Sequence, residues 1–164
     1  MAASKLDDLE QAVESDPGNA DLRHLLGAQY AQAGEYERAV REFLATTELN
    51  PSAHVARFQL GLLHLTHGNV PLALSSWGPL EILAEDSPLK LFKRGLEALV
   101  RDDFAACARL LSDGIGRNQQ NLALNDDMRK VLNRLPPPPA ANKVAAEPGE
   151  KVRTDFSLYT PTRH

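Results

Sequence analysis

The chain repeats itself at a spacing of 34 residues, and that period restricts its fold more than any other feature. Sliding the sequence by 34 pairs Arg23 with Arg57, Leu26 with Leu60, Gly27 with Gly61, Gly34 with Gly68, Ala39 with Ala73 and Leu49 with Leu83. Between these identities fall similar residues: Tyr30 meets His64, Tyr36 meets Val70, and Phe43 meets Trp77. A second step of the same size is fainter. It carries Gly61 to Gly95, Ala73 to Cys107, Val70 to Phe104 and Trp77 to Leu111, but Arg94 and Asp102 replace the leucine and the second glycine. A period of this length means a supersecondary unit that cannot bury its apolar face alone and must stack on its neighbours.

Each unit reads as two helices. Leu22, Leu25, Leu26 and the residues to Tyr30 precede Gly34, a helix stop. A second amphipathic helix follows from about Tyr36 to Leu49, with Ala39, Val40, Phe43 and Leu44 at helical spacing. Asn50-Pro51-Ser52 ends it, because proline disfavours helical geometry in the residue before it. Gly27 then has a purpose despite costing roughly 1 kcal/mol against alanine in a helix interior. Two antiparallel helices approach closely where one lacks a side chain, and Phe43 can fill the notch. In the second unit, Gly78-Pro79 should kink or end the second helix, since Pro79 lacks an amide and its ring clashes with the preceding turn.

This pattern resembles the tetratricopeptide repeat, whose unit carries Leu-Gly-x-x-Tyr, Ala-x-x-x-Phe and Pro. Here it stands as Leu26, Gly27, Tyr30, Ala39, Phe43 and Pro51, and again as Leu60, Gly61, His64, Ala73 and Trp77. The early aromatic of the family is replaced by Arg23 and Arg57. The resemblance implies an all-α solenoid of three helix hairpins at about 20–53, 54–87 and 88–121, within a repeat domain spanning 1–135. Leu6 to Asn19 would supply an N-terminal half-repeat helix. Asn121 to Leu135 would close the stack, with Leu124, Met128, Val131, Leu132 and Leu135 inward. Residues 136–164 form a proline-rich linker and tail, in which Phe156, Leu158 and Tyr159 suit a docking motif.

No catalytic, cofactor or metal constellation emerges. His64 and His67 could share a helix face but lack a third ligand, and His64 stands where the repeat packs an aromatic. Cys107 takes the small-residue place of Ala39 and Ala73, which favours a buried structural thiol. Asp113 to Gly116 lacks the preceding strand of a phosphate loop. Asn125 to Asp127 lacks the spacing of a calcium loop. Asp7-Asp8 and Asp102-Asp103 read as solvated helix starts. The net charge of −4 argues against a nucleic-acid binder. No run has the length of a membrane span and the start lacks a signal-type apolar core, so a cytoplasmic, soluble protein is expected.

What the resemblance implies about function lies on the concave face, lined mainly by first helices. In the first unit the corresponding places are Asp21, His24, Ala28, Ala31 and Gln32. In the second they include Val55, Phe58, Leu62 and Leu65, and in the third Leu89, Phe92, Leu96 and Leu99. Carboxylate-clamping members of the family carry lysine, asparagine and arginine there; this chain carries apolar side chains. The expectation is a non-enzymatic adaptor holding an apolar peptide or amphipathic helix, with self-association through the tail as a further expectation. Length, charge and groove character are also similar to the cytosolic chaperones of translocators in bacterial type III secretion systems, which gives an alternative. A non-catalytic subunit of an enzyme complex is the other.

Overall fold

Helix α1 (Lys5–Ser15) begins on a capping box, Ser4 accepting from the Asp7 amide while the Asp7 carboxylate accepts from the Ser4 amide. From there the computed structural model, which describes residues 4–138, is helical to Arg134 apart from short connections. The elements are α2 (Ala20–Gln32), α3 (Tyr36–Leu49), α4 (His54–Thr66), α5 (Val70–Trp77), a 3₁₀ turn (Gly78–Ile82), α6 (Pro88–Val100), α7 (Phe104–Arg117) and α8 (Leu122–Arg134). The described residues contain no strand, so the chain is all-α. Asn19, Asn69, Asp103 and Asn121 cap α2, α5, α7 and α8 by accepting a first-turn amide. This is the service short polar side chains give a helix start.

The described residues divide into two units. One ends at Ile82, the other begins at Leu83. In the first, α1 packs on α2, α2 on α3, α3 on α4 and α4 on α5, with a core around Leu26, Tyr30, Ala39, Phe43, Ala56, Leu60 and Leu63. In the second, α6 packs on α7 and α7 on α8. Leu124, Met128 and Val131 are fully buried, whereas Leu132 and Leu135 are half-buried.

The links inside the hairpins are the same three times. Gly34 and Gly68 take φ of 78° and 75°, and the amides of Glu35 and Asn69 reach back 2.9 Å to the carbonyls of Tyr30 and His64. Asp102, which breaks the glycine pattern in sequence, takes φ of 57°, and Asp103 N donates to Ala98 O at 2.9 Å. Aspartate is among the few side chains that tolerate this left-handed conformation, so the third hairpin closes with the geometry of the first two.

Within each hairpin the two helices meet at the early glycine. A Cβ on Gly27 would stand 2.9 Å from the Phe43 ring, one on Gly61 2.0 Å from Trp77 Nε1, and one on Gly95 2.6 Å from Leu111 Cδ2. The indole is fixed there by donating from Nε1 to Phe58 O at 3.0 Å. Pro79 acts as expected: α5 stops after eight residues and the chain continues as the 3₁₀ turn, whose Leu80 is buried.

These distances order the cost of substitution. Alanine regains about 1 kcal/mol of helix propensity, enough to offset a ring edge that yields a few tenths of an ångström at Gly27. At Gly61 the indole must leave its place and lose its hydrogen bond. Urea denaturation should therefore show G27A near neutral and G61A destabilised by about 2–3 kcal/mol, with G61L worse, in the range of core overpacking. Equal midpoints for G61A and the parent would contradict the notch.

Candidate partner-binding face

The first helices α4 and α6 carry the apolar residues singled out in the sequence, and the structure shows how each is held. Phe58 is wholly buried, stacked on Trp77 with ring centroids 6.2 Å apart and planes 23° apart. Leu62 and Leu65 beside it are buried, and Val55 is half-buried. In the second unit Phe92, Leu96 and Leu99 are wholly buried and Leu89 is half-buried. The Phe92 ring lies over Gly114, where a Cβ would come within 2.5 Å of it. Gly114 thus forms a second notch in that hairpin, opposite in direction to the one at Gly95. The sequence signal for it is the glycine at helix-interior spacing in α7.

Two cations sit among these apolar groups, unforeseen from the sequence. Lys90 is buried and its Nζ donates to Leu83 O at 2.9 Å and to Glu85 Oε1 at 2.7 Å. Lys93 is buried with its Nζ 2.9 Å from Glu97 Oε1. Arg94 joins Glu85 at 2.5 Å, and Arg94 and Lys90 hold the Glu85 carboxyl below its ordinary range, the hydrogen bond from Arg94 most strongly. On α2 the corresponding place is polar and half-buried: His24 hydrogen-bonds Gln59 and packs edge-on against Phe43. Arg23, at the place of the family's aromatic, pairs with Glu42 at 3.0 Å and donates to Pro17 O.

His64 occupies the aromatic place of its unit and is buried, its Nδ1 2.6 Å from the Tyr36 hydroxyl. Tyr36 also stacks on His67 at 4.0 Å, and His67 Nδ1 lies 2.9 Å from Leu63 O. Burial first, and the neighbouring His67 second, lower the His64 pKa. The unfolded chain therefore binds this proton more tightly. The stability His64 confers is whole above its unfolded pKa, about 6.5, and is lost as pH falls below that value towards the lowered folded one. Thermal midpoints should drop between about pH 6.5 and 5 for the parent, and the drop should shrink in H64Q.

Cys107 is wholly buried, like Ala39 and Ala73 at the same repeat position, and burial pushes its thiol up to about 12. A thiol held protonated is neither nucleophile nor ligand. Alkylation by iodoacetamide should proceed only under denaturing conditions; rapid native modification would contradict the burial. Among the described residues, no three His, Cys, Asp or Glu side chains gather closely enough to hold a metal ion, and no helix is long and apolar enough to cross a membrane. An apolar recess of about 360 Å³ opens between α7 and α8, lined by Phe104, Ala105, Ala108, Leu132, Leu135 and Pro136 to Pro138. Phe156, Leu158 and Tyr159 lie outside the described residues.

A family model described as tetratricopeptide repeat matches residues 1–49, which hold α1, α2 and α3 with the Leu26, Gly27, Tyr30, Ala39, Phe43 set. Residues 1–49 thus carry the tetratricopeptide repeat. Over 79 residues the chain is 30% identical to BBSome complex member BBS4 of Bos taurus, a match covering 48% of this chain and 15% of that protein. The chain thus spans a small part of the relative's length. Tetratricopeptide repeats are modules for protein–protein interaction; in this chain the rings on α4 and α6, the thiol and the imidazole are packed inside the fold.

Proposed function

We propose that the chain is a non-enzymatic adaptor whose first helices take an apolar peptide or an amphipathic helix of a partner protein. The observation that supports this reading is the recurrence of apolar groups at matching repeat positions, of which Val55 and Leu89 are the partly exposed pair. Val55, Phe58, Leu62 and Leu65 on α4 correspond to Leu89, Phe92, Leu96 and Leu99 on α6. Recognition of a helix or extended segment in this way needs a few hydrophobic anchors on a preformed surface. A relative named as a member of a multiprotein complex supports a part in an assembly.

The burial of Phe58 and Phe92 sets how the reading is tested. Each ring contributes roughly 1.5–3 kcal/mol of burial to its own hairpin, so charged substitutions there would unfold the unit. Val55 and Leu89 hold the same stripe and are only half-buried. V55K and L89K should leave helicity and melting within about 1 kcal/mol of the parent, as surface changes do. The same changes should weaken partner capture from native extract at least tenfold. Full capture by both folded variants would contradict the proposed face.

A further inference from the structure

Arg23 and Arg57 hold the same place in successive repeats, yet only the first has its acceptors. Arg23 Nε donates to Pro17 O at 2.7 Å, and its Nη1 donates to Glu42 Oε2 at 3.0 Å. One repeat on, Glu42 gives way to Ser76, whose hydroxyl already donates to Leu72 O at 2.7 Å. Arg57 Nε is shut off from water and has no hydrogen-bond partner among the described residues, and the same is true of His54 Nδ1. His54 precedes Arg57 by three positions on α4, so the two side chains are neighbours on one side of the helix. Nothing in the hairpin can answer this charge. Between Glu48 and Glu81 the chain has no carboxylate, in a sequence that holds 22. The third repeat places Leu91 and Leu110 at the positions of Arg57 and Ser76, so the hairpin closes without a cation there.

We propose that Arg57, flanked by His54, is a binding site for an aspartate or glutamate side chain of a partner protein. The ligand class is read from the molecule itself, because Arg23 with Glu42 is the filled form of the same place. A guanidinium takes a carboxylate through two parallel N–H donors, which fixes direction as well as strength. Arg57, His54 and Ser76 are all half-buried, so the place is open to an incoming side chain while part of the guanidinium is already desolvated. Arg57 lies about 200° round α4 from Val55, nearly the opposite side of the helix. The site is therefore separate from the apolar face proposed above and does not rest on it.

The Nε–Hε resonance of Arg57 in the full ¹⁵N-labelled chain reads the site directly. It is assigned by its loss in R57M, which keeps the aliphatic stem. An acetylated hexapeptide of alternating Glu and Ala should shift this resonance saturably, and its Gln counterpart should not. Followed by the α4 amides, R57M should weaken the Glu peptide about tenfold or more, the worth of a hydrogen bond to a charged group. Its melting midpoint should be no lower than the parent's, since an unpaired charge is removed. S76E, which copies Glu42 into the second repeat, should raise the midpoint and block the peptide, and the gain should vanish when R57M is added. Peptide binding that survives S76E, or that is equal in R57M and the parent, would overturn the proposal. So would equal shifts at the exposed Arg41, which would mean general charge attraction. Inorganic phosphate binding more tightly than the Glu peptide would reassign the site to phosphate. An Arg57 shift that follows protein concentration without peptide would make the occupant a second copy, and would overturn it too.

Discussion

The missing side chain at Gly27, Gly61 and Gly95 is the constraint on which the other contacts depend. The distance between packed helices follows from the side chains at the contact. By leaving one helix bare at that point, the chain lets Phe43, Trp77 and Leu111 lie flat against backbone. The rest follows in sequence. A close approach excludes large residues at the neighbouring place, hence Ala39, Ala73 and Cys107, each with no exposure. It also demands a tight return, hence the left-handed residues Gly34, Gly68 and Asp102. In the third hairpin the notch is matched by another at Gly114, so Phe92 and Leu111 each press into the opposite helix.

How much of this was legible follows from which residues speak through spacing and which through surroundings. Gly27, Gly34, Phe43 and their copies repeat at a fixed interval, so the all-helical repeat could be read before any coordinates. Pro79 announces its own effect because a missing amide needs no context. The third unit was harder to read since Asp102 and Leu111 perform the tasks of a glycine and an aromatic without resembling them. Burial of the stripe was not legible. Leucines and phenylalanines on a first helix look alike whether they await a partner or stack on Trp77 and Gly114. The buried ammonium groups of Lys90 and Lys93 were hidden for the same reason: a lysine in sequence reads as surface, and only the positions of Leu83 O, Glu85 and Glu97 make its burial tolerable.

The two units solve the helix-start problem and the charge problem in different places. In the first unit the charged groups lie at the edge of the core: Tyr30 donates to Glu10 at 2.6 Å and Arg23 meets Glu42. In the second they lie within it, on α6, where ion pairs are retained at a desolvation cost. The loop before α8 is locked by amides instead. Asn118 Nδ2 donates to Asn125 Oδ1 and to Asn121 O, while Asn125 Nδ2 donates to Asn118 O, all at 2.7–2.9 Å. These buried amides leave each other satisfied and fix the angle at which the closing helix leaves α7.

Trp77 is the single tryptophan and Cys107 the single cysteine, and the division at Ile82 and Leu83 puts one in each unit. Both are buried at the second helix of a hairpin, the indole under Gly61 and the sulfur two turns before Gly114. The molecule therefore comes with its own pair of native reporters, an optical one for the first unit and a chemical one for the second. Indole emission and thiol accessibility followed in the same denaturation would reveal whether the repeat array melts as one cooperative block or as two, without any label to disturb it.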